Sequence, residues 1–458
     1  MNKLLSILSI IALLGIFTGC DKYLDLEPSQ NISENIALTS DKNVKSVLLG
    51  AYSLFDNPAI YGGNLLRNAE LLGGNGEILW VGTYIDPRQI FNKTMIASNS
   101  EAEVQWRDSY RVINTANNIL SALAVVDAAD RDRVEGEALF LRSLMFFDLV
   151  RFFAGQYNPG IANPQLGVPL VLTPTQGING SSFVGRNTVD EVYNKVIADL
   201  VIAASKLPVK NGIFATKGAA NALLARVYLQ KGDYNNARNA AHAVIIALDG
   251  ANPLYSLQTS YSDVFNNDNN TSEDIFATQI TPQDLPSSMT EFFSALPIAG
   301  ARGGDIDILP GHLNLYPVGD ERKNLFFSGN GAMRCGKWNN QYGIINLFRL
   351  AEMYLIRAES NKVIDATEAT FVGAKPLADY NTIHQRAGLA AAGSVTLDDI
   401  RMERRLELAF EGFKIHDNRR LHLNVATFPY NDPKLLFPIP GRELEANPTL
   451  KTQQNLGY

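Results

Sequence analysis

Apolar residues recur at helical spacing over most of this chain. Two stretches, Ala102 to Ala124 and Arg131 to Phe153, read as an antiparallel helix pair. In the second, Val134, Ala138, Leu141, Leu144, Met145, Leu149 and Phe152 fall on one face. Thr188 to Leu207 reads as a further helix, with Asp190 and Glu191 suited to the positive end of its dipole. Lys217 to Lys231 and Tyr234 to Ala247 form a helical hairpin, with Gly232-Asp233 as the turn. Periodicity lapses in three places: Asn57 to Asn99, Gly155 to Gly185, and Pro253 to Gly343. These stretches are rich in Asn, Asp, Gly, Pro and Ser, with aromatics embedded. Long irregular segments on a rigid scaffold are usually functional or disordered, and the aromatics favour function.

The hairpin of residues 217–247 fits the tetratricopeptide pattern, with Ala225, Tyr228 and Ala237 at its small, aromatic and small positions. Small residues let two helices approach, and the aromatic fills the gap between hairpins. The phrase Leu224-Ala225-Arg226-Val227-Tyr228-Leu229 is echoed by Leu350-Ala351-Glu352-Met353-Tyr354-Leu355. A shared L-A-x-x-Y-L implies repeated helix pairs in one solenoid-like scaffold. Tyr228, Tyr354, Phe146 and Phe147 are expected in the core by periodicity.

The opening MNKLLSILSIIALLGIFTGC changes the picture of where the protein works. Lys3 is the basic start, Leu4 to Phe17 the apolar run, and Thr18-Gly19-Cys20 a small-residue cleavage site ending on cysteine. About fourteen apolar residues are too few to span a bilayer, which needs roughly twenty. Residues 1–19 therefore read as a lipoprotein signal, with Cys20 acylated and anchoring the mature chain to a membrane. Phe17 departs from the Leu, Val or Ile usual at that position. The acidic DKYLDLEP that follows is similar to the export tag of Bacteroidetes surface lipoproteins.

Composition narrows the class further. The chain has 458 residues, 46% apolar and 19% charged, with net charge −7, or −8 without Lys3. Nothing is basic enough to suggest nucleic acid. Of the two cysteines, an acylated Cys20 leaves Cys335 unpaired, so disulfides do not hold the fold; Cys335 reads as a buried structural residue.

Several chemical motifs fail on inspection. Glu403, Glu407 and Glu411 recur every four residues and so share one helix face, and paired carboxylates do the acid–base work of glycoside hydrolysis. Arg401, Arg404 and Arg405 interleave with them, and Asp417, Arg419 and Arg420 follow, which favours a structural ion-pair network. Gly331 to Trp338 mimics a phosphate loop but ends on Trp338 where a hydroxyl is needed, and Ser328-Gly329-Asn330-Gly331 is no strand. The five histidines lack zinc spacing. Asp268, Asn270 and Ser272 lack the glycine and glutamate of a calcium loop and read as a polar turn. No metal or cofactor is expected.

Three strings near the C-terminus belong together: LFRLAEMYLIRAES (347–360), IRMERRLELAFEGFKIHDNRRL (400–421) and FPIPGRELEANPTLKTQQNLGY (437–458). With CDKYLDLEP, GEALFLRSLMFFDLVRFFAG (136–155) and GDYNNARNAA (232–241), they resemble the SusD/RagB family of outer-membrane nutrient-binding lipoproteins. Lys414 stands where an arginine is common, and HDNRR varies a D-x-x-R core. The resemblance implies a mainly α, tetratricopeptide-like scaffold with long irregular ligand-binding insertions. It implies a cell-surface lid over a SusC-like TonB-dependent transporter that captures oligosaccharides, or in some members peptides, without catalysis. The chain divides accordingly into residues 1–19, 20–250 and 251–458.

Sugar capture asks for aromatic faces that stack on pyranose rings and for polar groups that reach hydroxyls. Two segments have that composition. One offers Asn75, Glu77, Trp80, Tyr84 and Arg88; the other offers Trp338, Asn339, Asn340 and Tyr342. Arg302 and Asp305 lie in the same large insertion. Four readings stand at this point: glycan capture, peptide or glycopeptide capture, a scaffold whose only ligand is the transporter, and a surface glycosidase.

Overall fold

The computed structural model describes residues 38–458, apart from Asn75, Gln176, Ile178, Ala366, Glu368 and Ala369. The expected signal, Cys20 and the acidic tag lie outside the described residues. In chain order the helices are α1 (Asp41–Phe55), α2 (Asn64–Gly73), α3 (Ile85–Asn92), α4 (Ser100–Ser121), α5 (Ala128–Phe153), α6 (Val189–Lys206), α7 (Lys217–Lys231) and α8 (Tyr234–Ile245). They continue with α9 (Ser288–Phe293), α10 (Pro310–Leu313), α11 (Leu350–Val363), α12 (Pro376–Arg386), α13 (Leu397–Glu407), α14 (Lys414–Arg420) and α15 (Gly441–Ala446). The fold is mainly α. Among the described residues no helix is long and apolar enough to cross a membrane.

Helix starts follow their capping residues. Thr188 and Glu191 close a reciprocal capping box on α6, and Thr396 with Asp399 does the same on α13. Thr216 caps α7, and Gly232 ends it in the left-handed conformation at φ 75°, which costs glycine nothing. The Gly232-Asp233 turn then hands over to α8, capped by Asp233. Helices pack in succession, α4 on α5, α5 on α6, α6 on α7 and α7 on α8, after which α8 packs on α11 and α11 on α12. This is the solenoid the echoed phrase implies. Its two copies meet directly: Arg226 and Glu352, the same position of each L-A-x, form a buried bidentate pair at 2.9 and 2.6 Å.

Helix α5 departs from the one-faced expectation. It is buried all round from Gly136 to Phe153, because α1, α4, α6 and α7 pack on it and Phe276 and Phe348 meet its Phe140. Its charged residues are correspondingly paired, as in Arg142 with Asp199 at 2.7 Å. Phe146 and Phe147 are core, whereas Tyr228 and Tyr354 are half-buried at its edge.

The strands are short: β1 (Ile78–Trp80), β2 (Leu248–Asp249), β3 (Asn252–Pro253), β4 (Asp274–Thr278), β5 (Ile306–Ile308), β6 (Phe326–Gly329), β7 (Ala332–Cys335) and β8 (Ile345–Arg349). An antiparallel sheet runs β1-β5-β7-β6, and β4 pairs with β8. Ser328 and Gly329 thus do belong to a strand, correcting the loop reading. Asn330-Gly331 turn β6 into β7 with φ 51° and 78°, the two positive values a type I′ hairpin turn requires. Cys335 ends β7, fully buried, with burial pushing its thiol up to about 12.

Candidate functional site

The two segments singled out for sugar capture converge on α9, a six-residue helix started by Ser287, whose side chain accepts from the Met289 N–H. Strand β1 alternates: Ile78 and Trp80 point in, Leu79 points out. Trp80 is 6% exposed and packs on Phe292 of α9 at 5.8 Å between centroids. Beyond it the N–H groups of Val81 and Gly82 both donate to the Asp305 carbonyl, at 2.9 and 3.2 Å. A Cβ on Gly82 would sit 2.6 Å from the Trp80 ring and 2.8 Å from the Asp305 carboxyl carbon, so this crossing requires glycine. The chain then emerges. Tyr84 is 46% exposed, its ring edge-on to Phe292 at 6.1 Å. The Arg302 guanidinium lies over the Tyr84 ring at 4.3 Å. Its nitrogens donate to Asp305 (2.7 Å), the Tyr84 hydroxyl (2.8 Å) and Thr83 (3.3 Å). Arg88, exposed, donates to the Gly82 carbonyl at 2.8 Å. Val81, Ile85 and Leu296 add exposed apolar surface. The result is an open face with one accessible aromatic, a guanidinium and a hydroxyl.

The other segment reaches α9 through hydrogen bonds. Ser294 donates to the Asn339 side-chain oxygen at 2.7 Å, Thr290 to the Asn340 carbonyl at 3.0 Å, and the Ser287 N–H to the Gln341 carbonyl at 2.9 Å. Tyr342 is half-buried against the core.

Several expected contact residues are not on the surface. Trp338 is 4% exposed, and its indole N–H donates to the Phe410 carbonyl at 3.1 Å. It and Trp80 present no free face for a sugar ring, because each completes the packing under α9. Glu77 is buried and accepts from Lys414 (2.5 Å), His312 (2.9 Å) and Arg405. Burial works against its charge, but the His312 hydrogen bond and the two cations outweigh it and hold the carboxyl at about 2. Asp305 is buried and serves Arg302. Asn339 is engaged by Ser294, and Asn75 lies outside the described residues. Tyr84, Arg88, Arg302 and, in part, Tyr342 remain available. Thr83, Leu296 and Phe292 were not anticipated. The Ser287 cap before two phenylalanines was the one local signal for α9.

The carboxylates that suggested acid–base chemistry are tied down. Helix α13 ends at Glu407, and Phe410 takes φ 62°, so Glu411 returns by a turn and not along the helix face. All three nonetheless meet a buried arginine cluster. Arg349 reaches Glu273 (2.8 Å), Glu407 (3.0 Å) and Glu411 (2.8 Å); Arg322 bridges Asp320 (2.7 Å) and Glu403 (2.6 Å). Lys337 adds a 2.6 Å pair to Glu411. Burial alone would raise Glu407, but Arg386, Arg349 and Arg322 hold it at about 2. A general acid needs a proton at working pH, which this carboxyl does not keep.

Comparison with known proteins agrees with this architecture. A family model described as "Starch-binding associating with outer membrane" matches residues 22–229, and that of the SusD family matches residues 330–424. SusD-like protein P2 of Formosa agariphila is 23% identical over 98% of this chain and 99% of its own length. A crystal structure of a putative sugar binding protein from Bacteroides vulgatus superposes with a TM-score of 0.80 at 26% identity, over 92% of this chain and 99% of that one. A laminarin binding SusD-like protein has the same fold, with a TM-score of 0.74 at 22% identity over 92% and 100% of the two chains. Two models in family order, full-length relatives and a shared solenoid-plus-insertion fold agree: the chain belongs to the SusD/RagB family.

Proposed function

We propose that this protein captures oligosaccharides on the face around Tyr84 and Arg302 and passes them, unaltered, to a SusC-like TonB-dependent outer-membrane transporter. The observation that carries the reading is the half-exposed Tyr84 ring with Arg302, Thr83 and Arg88 about it. An aromatic face takes the apolar side of a pyranose, and the surrounding donors and hydroxyl take its ring substituents. The face is open and not a deep pocket, which suits moderate affinity and fast release. The description of the matched family model and the laminarin-binding relative support a glycan ligand. The locked state of Glu403, Glu407 and Glu411 supports capture without hydrolysis.

The test is calorimetry on a lipid-free chain starting at Asp21, against oligosaccharides and protein digests. A sugar signal weakened about tenfold by Tyr84→Ala and by Arg302→Gln is expected. A peptide-only signal would replace glycan with peptide capture. Silence would leave the transporter as the main ligand, and turnover of a sugar would make the protein an enzyme. We further propose that Cys20 carries the lipid anchor, holding the protein on the outer membrane with its body facing outward. Cys20→Ala should fold normally and leave the membrane fraction; a variant still acylated there would sink that assignment.

A further inference from the structure

A cavity of 280 Å³ opens between α13 and α14 and shares no residue with the Tyr84–Arg302 face. Its apolar lining comes from Met402, Leu408, Phe410, Phe413, Leu421 and Leu423. Met402 and Leu423 are exposed, large apolar side chains left in water beside it. The polar part of the lining is unevenly matched. Arg404 is buried; its Nε reaches Asp417 at 2.9 Å and one Nη reaches Glu352 at 3.4 Å, but Nη1 has no hydrogen-bond partner among the described residues. Arg405 gives one nitrogen to Glu77, and its Nε is likewise without a partner among them. Arg405 and Lys414 share the single carboxylate of Glu77. A buried guanidinium N–H without an acceptor is costly, and a mobile acceptor would relieve it.

We propose that this cavity is a binding site for a small amphiphilic monocarboxylate, its hydrocarbon part against the Phe413 and Leu421 wall and its carboxylate held by the lining arginines Arg404 and Arg405. Volume and lining fit an acid of about six to ten carbons. A doubly charged phosphate is disfavoured, since Glu70, Glu77, Asp398 and Asp417 also line the cavity. A saccharide is disfavoured by walls that are mostly alkyl and phenyl. This site stands independently of the glycan reading, and its ligand is found by different chemistry.

The test titrates the lipid-free chain from Asp21 with hexanoate and, separately, with 1-hexanol, by calorimetry and by NMR of carboxyl-labelled hexanoate. Hexanoate should saturate at one site, with hexanol at least tenfold weaker. Arg405→Gln should weaken hexanoate at least tenfold. Because that change also removes a Glu77 partner, Met402→Trp serves as a second variant that fills the mouth without touching an ion pair. It should weaken both ligands while leaving the thermal midpoint and any oligosaccharide binding unchanged. Equal affinity for acid and alcohol, hexanoate binding that survives both variants, or no saturation at millimolar hexanoate would each overturn the proposal.

Discussion

Trp80 and Tyr84 are four residues apart, and the Gly82 crossing separates them into a core residue and a surface residue. Truncating a buried indole leaves a cavity, so Trp80→Ala should destabilise the fold by about 3–5 kcal/mol in urea unfolding. Tyr84→Ala should stay within about 0.5 kcal/mol of the parent while losing ligand affinity. Trp80→Ala with normal stability and lost sugar binding would restore Trp80 as the platform. Glu70 offers a second test. Its carboxylate accepts from the N–H groups of Gly412 (2.8 Å), Phe413 (3.0 Å) and Lys414 (3.4 Å) at the start of α14. Burial nevertheless raises it to about 7, against the pull of Lys414 and those N–H groups. The folded protein therefore keeps this proton to a higher pH than the unfolded chain does. That contribution to stability is fully present below the unfolded pKa of 4.5 and is lost as pH rises through about 7. The scale of the loss is about 3 kcal/mol. Glu70→Gln should flatten this part of the profile between pH 5 and pH 8, measured as unfolding free energy. An unchanged slope would mean that the N–H groups keep Glu70 ionised.

At the level of elements, helices written with caps and a sustained period were legible from the sequence alone. Lys217 to Lys231 was bounded by Thr216 and Gly232, and the structure starts and stops there. The echo of Leu224–Leu229 in Leu350–Leu355 foretold two like helices, though not that their third positions would carry Arg226 and Glu352 into one buried ion pair. Arg226 also lies over Phe348 at 4.1 Å and Phe413 at 4.7 Å, joining α7 to β8 and to the segment before α14. Arg226→Ala should cost about 3–5 kcal/mol, since it strands Glu352 in the interior, and denaturant unfolding measures it. A loss below about 1 kcal/mol would show that Arg404 alone satisfies Glu352. What escaped the sequence were elements too short to carry a period. β6 and β7 have four residues each, and α9 has six. Asn330-Gly331 was a strong hairpin signal between strands too short to alternate visibly. The candidate site failed to resolve for the same reason. Whether Trp80 or Tyr84 faces water depends on pairing of β1 with β5, a partner distant in sequence, and local composition does not report it.

Across the whole molecule, the interior does not stop at residue 250. Phe276 stacks edge-on against Phe140 at 5.1 Å and lies 5.9 Å from Phe55. Arg186 reaches the Gln453 carbonyl (2.8 Å) and the Asn455 side chain (2.9 Å), and Arg419 donates to the Arg151 and Ala154 carbonyls at 2.6 and 2.7 Å. The Phe437 N–H donates to the Phe152 carbonyl at 2.8 Å. Residues 20–250 cut away from 251–458 would uncover the α5 side chains that meet Phe276, Phe348 and Phe437, strip Arg186 of its Gln453 and Asn455 acceptors, and leave Arg419 without the two carbonyls it donates to. We therefore expect the two regions to unfold together, in one transition by calorimetry and by near-ultraviolet circular dichroism. A fragment of residues 20–250 should show helical signal without a sharp thermal transition. The binding face makes the same point in functional terms, because Tyr84 comes from one region and Arg302 from the other. Oligosaccharide binding should therefore vanish at the same denaturant concentration as the global transition. A fragment that melts cooperatively alone, or binding lost well before unfolding, would show that the regions are separable and that the face sits on a weaker joint between them.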